Sequence, residues 1–195
     1  MVRALWDRPV FHAGAVAREG VGVILPAEPG GGKTSLVTAL LELGFEYLSD
    51  EFAVVDPKST TVLPFPKALC FKEGGMELFP HLKPKGLYVE WDMGGEVGRL
   101  WYLDPSDLGS EVSGEDRRVR YIVFPERDGL EGAMVEGISK AKAVLKLAEN
   151  FLNLDFFGRD ALDVVLNVVG EAECLRLRAG SPQEGARIIS NLMEG

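Results

Sequence analysis

Histidine, cysteine and tryptophan are scarce in this 195-residue chain, at two, two and three copies. Cys70 and Cys174 stand far apart in apolar, strand-like runs, "ALCF" and "ECLRLR". That spacing excludes a disulfide framework and a cysteine-based metal or redox motif, and leaves buried free thiols as the expectation. Basic residues also run short, 21 against 30 acidic, for a net charge of −9. A broad basic face for a nucleic-acid backbone is excluded, so an anionic nucleotide would need a local positive site. No apolar run reaches the roughly 18 residues of a membrane-spanning helix. The opening "MVRALWDRPVF" lacks the apolar stretch of a signal peptide. No membrane partner and a cytoplasmic location are therefore expected.

What is present is ordinary in bulk, 46% hydrophobic and 26% charged, which suits a folded domain able to bury a core. "VFHAGAVAREGVGVILPA" predicts a β-hairpin, Val10 to Ala17 and Val21 to Leu25, turning at Arg18-Glu19-Gly20. From Lys33 the spacing becomes helical, with Leu36, Val37, Leu40, Leu41 and Leu43 apolar and Gly44 placed to end an amphipathic helix. "FEYL", "FAVV", "TTVL" and "ALCF" then read as a meander of short strands. Residues 72–99 read as loops with a short helix at "MELFPHL", before strands at "RLWYL" and "RVRYIVF". "SKAKAVLKLAENFL" and "RDALDVVLNVVGEA" are helical and "ECLRLRA" alternates as a strand. Ser181, Pro182 and Glu184 spell the start of a last helix, with a capping box. No repeat or linker interrupts the chain, so residues 1–195 are expected to form one mixed α/β domain.

Between the hairpin and the first helix lies "PAEPGGGKTS". A phosphate loop G-x-x-x-x-G-K-[ST] would end this way but begin with glycine at position 27, where alanine stands. Such a loop works because main-chain N–H groups converge on an anion at the positive end of a helix, while a lysine reaches outer phosphate oxygens and a hydroxyl binds Mg²⁺. Gly30, Gly31, Gly32, Lys33, Thr34 and Ser35 supply these parts. Alanine at 27 matters only if that position requires a positive φ. The plainer alternative is a glycine-rich turn that merely opens a helix.

Asp50 and Glu51 follow the next apolar strand, 17 and 18 residues after Lys33. Beside a phosphate loop, adjacent acids divide two jobs, orienting Mg²⁺ and accepting a proton from an attacking hydroxyl. By themselves they would read as a solvated turn. His12 lies on the strand before the loop, where alternation puts Val10, His12, Gly14 and Val16 on one face. Alone it reads as a packing histidine, and in register with the loop and both acids it is a catalytic candidate.

The stretch from His12 through Phe52 resembles the catalytic domain of bacterial HPr serine kinase/phosphorylase and its HPr-kinase-like relatives: a histidine-bearing strand, a hairpin, a phosphate loop and an acidic pair beyond the first helix. The resemblance implies a phosphoenolpyruvate carboxykinase-like fold. It also implies ATP- and Mg²⁺-dependent transfer of a phosphoryl group to a serine-type hydroxyl on a small molecule, peptide or protein. Asp50 would be the base, and Thr34, Asp50 and Glu51 would surround the metal. "FPERDG" looks like the family segment whose arginine faces the site, which makes Arg127 the candidate for stabilising the transferring group, with a plain surface arginine as the alternative. "FKEGGMEL" stands only loosely where the family has E-x-R-G-x-G. Relatives form oligomers, so a homo-oligomer is implied, with apolar groups at "MELFPHL" or "WDMGG" serving either interface or core.

Two rival readings remain. A small-metabolite kinase of the shikimate-kinase type also places an acid after the first helix, but on repeating βαβ units rather than a hairpin and meander. An ATP-binding sensor or scaffold would keep the loop without transfer.

Overall fold

The computed structural model describes residues 7–83, 88–93, 96–126 and 132–194. Val10–Arg18 (β1) and Val21–Pro26 (β2) pair antiparallel from Ala13↔Pro26 to Arg18↔Val21. Glu19 and Gly20 turn between them at φ 52° and 79°, consecutive left-handed residues that match the twist of a tight hairpin. Lys33–Glu42 forms α1, and Gly44, at φ 85°, ends it as the sequence predicts. The meander follows as Glu46–Ser49 (β3), Phe52–Asp56 (β4), Thr61–Leu63 (β5) and Leu69–Lys72 (β6).

Beyond it come Glu73–Met76 (α2), Val89–Met93 (β7), Glu96–Leu103 (β8), Arg117–Glu126 (β9) and Met134–Gly137 (β10). Lys140–Glu149 (α3), Leu154–Phe157 (α4), Ala161–Glu171 (α5), Glu173–Arg178 (β11) and Pro182–Met193 (α6) complete the order. Ser181 caps α6 by accepting the Glu184 amide at 3.2 Å.

The fold is mixed α/β. Its larger sheet runs β10-β11-β9-β2-β1-β4-β5, with β3 beside β4 on the same edge of β1. β5 also reaches β9 at Thr61↔Arg118, so β9, β2, β1, β4 and β5 close a ring. The β2–β9 and β9–β11 pairs are parallel. Their carboxyl ends therefore share one edge, where β2 delivers the glycine loop and β11 delivers the start of α6.

β1 serves two cores. Phe11, Ala13, Ala15 and Ala17 pack with Leu147 of α3 and Val165 and Val168 of α5. Val16 packs on the opposite side, with Val37 and Leu40 of α1, Phe71 of β6 and Ile189 of α6. The period-2 reading of this strand is correct.

Several expectations need correction. α1 is not amphipathic: eight of its ten residues, Lys33 and Ser35 among them, are buried, because the large sheet, β6 and α6 enclose it. Residues 72–99 are not only loop. β7 and β8 form a hairpin and join β6 in a separate three-stranded sheet, which glycine-rich flanks conceal from periodicity. The helix expected at "MELFPHL" lies earlier, at Glu73–Met76; Pro80 keeps the rest of that segment to single turns such as Phe79 N to Met76 O, 3.0 Å. Phe79 itself is core, whereas the side chains of "WDM" and both glycines after them lie outside the described residues. Cys174 is buried as expected, but Cys70 is only half-buried. Among the described residues no helix is long and apolar enough to cross a membrane.

Candidate functional site

The glycine loop owes its shape to two left-handed residues. Gly30 and Gly32 sit at φ 84° and 82°, which a side chain adopts only with strain. Between them the Gly31 amide bonds the Glu28 carbonyl at 3.0 Å. A Cβ on Gly31 would crowd that oxygen at 3.1 Å and the Ala27 Cβ at 3.2 Å. Ala27 is buried and is not among the positive-φ residues, so glycine is not required there. Helical bonding starts at Leu36 N to Gly32 O, 3.0 Å. The amides of Lys33, Thr34 and Ser35 therefore have no carbonyl partner within α1 and form its positive end.

Lys33 is 6% exposed, with its Nζ 3.1 Å from His12 Nε2. An ammonium has no lone pair, so Nε2 accepts and His12 is held as a neutral imidazole. Burial and then the Lys33 charge push the His12 pKa below its ordinary value. Burial also lowers Lys33, against the opposing charges of Asp50 and Glu51.

Strand register explains how the acids reach the loop. β1 pairs with β4 at His12↔Phe52 and with β3 at Ala15↔Ser49, which sets Asp50 opposite Gly14 on the α1 side of the strand. Gly14 leaves the room: a Cβ there would lie 2.6 Å from Val37 Cγ2 and 3.3 Å from Lys33 Cγ. Asp50 is completely buried and its Oδ2 accepts the Thr34 hydroxyl at 2.9 Å. Its Oδ1 is buried without a protein partner. Burial raises its pKa, offset in part by Lys33 and the Thr34 bond.

Glu51 takes a different environment. It carries φ 95°, a strained value for glutamate that lets the chain step from β3 to β4, and its carbonyl accepts the Ala13 amide at 3.2 Å. Its side chain is 38% exposed and paired with Lys67. Lys67 Nζ also lies 5.4 Å from the centre of the Phe52 ring. The backbone of this segment is tied down by Tyr47 Oη donating to the Lys67 carbonyl at 2.8 Å and Phe65 N to Leu48 O at 2.9 Å.

His12, Lys33 and Glu51 meet at a cleft of about 460 Å³, lined also by Pro29, Gly30, Gly32, Thr34, Ser35, Cys70, Phe71, Gly75 and Leu100 among others. The structure thus brings together His12, Gly30, Gly32, Lys33, Thr34, Ser35, Asp50 and Glu51; Gly31 faces a smaller recess toward Glu126 and the start of α6. Arg127 lies outside the described residues. Lys67 and Cys70 stand at no motif spacing; the β5–β6 connection carries Lys67 to the side of Glu51, and β6 carries Cys70 to the cleft.

The donor set fits a phosphate-bound Mg²⁺. Among the described residues no three His, Cys, Asp or Glu side chains gather to hold a metal unaided. Mg²⁺ prefers one or two protein oxygens with phosphate and water, and Thr34 beside the orphaned Asp50 oxygen offers such oxygens. No family model matches the chain, and no curated protein matches it.

Proposed function

We propose that the protein transfers the terminal phosphoryl group of ATP, with Mg²⁺, to a hydroxyl on a small molecule, peptide or protein. One observation carries this reading: a buried carboxylate, Asp50, is hydrogen-bonded to the hydroxyl that follows the loop lysine, and one of its oxygens is left without a protein partner. A turn that only capped a helix would not need that acid. The hairpin before the loop and the antiparallel strands after it support the HPr-kinase-like arrangement over the shikimate-kinase type. The net charge of −9 supports a reading without a nucleic-acid backbone as partner, and a cytoplasmic location is part of the proposal.

In this reading the main-chain amides of Gly30, Gly32, Lys33, Thr34 and Ser35 hold the phosphates and Lys33 neutralises outer oxygens. Thr34 and Asp50 would hold Mg²⁺, which would offset charge on the phosphates. Burial of Asp50 argues for moving the base role to Glu51, the acid that faces the cleft. Glu51 takes the acceptor proton as the acceptor oxygen bonds to the terminal phosphorus; the bond to the bridging oxygen breaks, and ADP leaves with that electron pair. Glu51 is thereby released from the metal set expected of it.

The test is calorimetric titration with Mg·ATP alongside product analysis. Wild type should bind and turn over, Lys33→Ala should lose affinity, and Glu51→Gln should bind without transfer. Binding without turnover in wild type, against all hydroxyl acceptors and water, would make the protein a sensor. Absence of binding would sink the reading altogether.

A further inference from the structure

Lys67 is outside every motif of the phosphate loop, yet its ammonium pairs with Glu51, a residue that lines the cleft. Three restraints fix it: the Tyr47 hydroxyl on its carbonyl, the Phe52 ring under its ammonium and the Glu51 carboxylate. It does not line the cleft; Glu51 does. Glu51 in turn has a left-handed backbone and a side chain 38% exposed, paired with Lys67.

We infer that Lys67 is a positioning residue, whose anchored ammonium holds the Glu51 carboxylate at the cleft beside Lys33 and His12. The inference rests on the reading of that cleft as a phosphoryl-transfer site, where it supplies what Glu51 needs to act as base: one orientation, and a compensating charge before any substrate arrives. Lys33 directs its Nζ at His12 instead. Arginine at position 67 could serve, since a guanidinium also stacks on an aromatic ring and binds a carboxylate.

Cys70 gives a built-in reporter. It lines the same cleft and is half-buried, while the other thiol, Cys174, is buried. Burial raises the Cys70 pKa; the Tyr102 hydrogen bond lowers it, Glu51 raises it further and Lys67 lowers it. Alkylation follows the thiolate, so the two partners should shift its rate in opposite directions.

The experiment is iodoacetamide labelling of the full chain, with Cys70 followed by peptide mass spectrometry. Lys67→Met should slow labelling roughly threefold and Glu51→Gln should speed it roughly threefold, the scale of one charge removed at partly screened range. With Lys67→Met already in place Glu51 is no longer held at the cleft, so adding Glu51→Gln should change the rate less than about twofold, where independent charges would restore the full roughly threefold; Lys67→Arg should match wild type. A merely structural role would open the cleft and speed labelling in both single variants; that result, or rates unchanged in both, overturns the inference. If Lys67→Met does not fold, Lys67→Gln carries the same expectation. Protection of Cys70 by magnesium with a non-hydrolysable ATP analogue is a separate arm. Its failure would count against nucleotide in the cleft while leaving the Lys67–Glu51 coupling intact.

Discussion

Thr34 and Asp50, 16 residues apart, are joined by a 2.9 Å hydrogen bond between the first turn of a helix and the end of a neighbouring strand. The bond ties the glycine loop to the sheet at a point where burial opposes a carboxylate's charge.

Asp50→Asn should therefore stabilise the nucleotide-free protein. The amide keeps an oxygen for Thr34 and removes a buried charge. A group whose folded pKa is raised binds its proton more readily in the fold, so its unfavourable contribution grows as pH rises from the unfolded value through the folded one. At neutral pH the gain should be about 1 kcal/mol, or about 2–4 °C in Tm for a chain of this size. Scanning calorimetry at pH 4 and pH 7 checks it: the gain should shrink at the lower pH, while Mg²⁺-dependent nucleotide binding weakens at pH 7.

Gly14→Ala should cost about 1–3 kcal/mol, the usual range for overpacking a dense core. The added methyl meets Val37 Cγ2 at 2.6 Å, and valine is stiff at χ1. Urea unfolding of the single variant and of Gly14→Ala with Val37→Ala separates the causes: the second change should recover part of the loss. Nucleotide affinity should fall as well, because Lys33 Cγ is the next neighbour.

Ala27→Gly should leave Mg·ATP affinity within about twofold, since residue 27 needs no left-handed backbone. Gly32→Ala should weaken it roughly tenfold, the equivalent of about 1.4 kcal/mol, by straining a residue at φ 82°. Fluorescent-nucleotide titrations of the two variants check both; clearly tighter binding by Ala27→Gly would show that the loop does require the consensus glycine.

His12 gives the pH dependence of the site. Its folded pKa lies below its ordinary value of 6.5, so below 6.5 the unfolded chain binds more protons. The stability it contributes is complete above 6.5 and is lost as pH falls through the lower folded value. Thermal melts of wild type and His12→Gln from pH 7.5 to 5 should show the wild type losing more stability on acidification. Parallel curves would mean that the imidazole does not hold Lys33 as a neutral acceptor.

Local pattern encodes some of these features and not others. The hairpin, α1, the Gly44 stop and the Ser181 cap were readable in the chain because each depends on residues close in sequence. The common face of His12, Gly14 and Val16 was readable for the same reason. The hidden parts are those fixed by long-range packing. The burial of α1 on nearly all sides comes from α6 and β6, and the β7–β8 hairpin lies in a stretch whose glycines blur any period. The acids were found by spacing, but their different exposures come from the passage between β3 and β4 along β1. No spacing foretold Lys67, because its place depends on Tyr47 and Phe52.

The alternation of β1 has a bearing on which sequences this architecture tolerates. Phe11, Ala13, Ala15 and Ala17 look one way and His12, Gly14 and Val16 the other. Inserting a single residue between Phe11 and Ala17 would invert every later side chain, driving alanines under α1 and the imidazole or its neighbours into grease. Length changes are harmless only at the tip, beside Glu19 and Gly20, where nothing within 4 Å would meet a new methyl on the glycine. Lineages of this protein should consequently vary at that turn and keep the strand's residue count fixed.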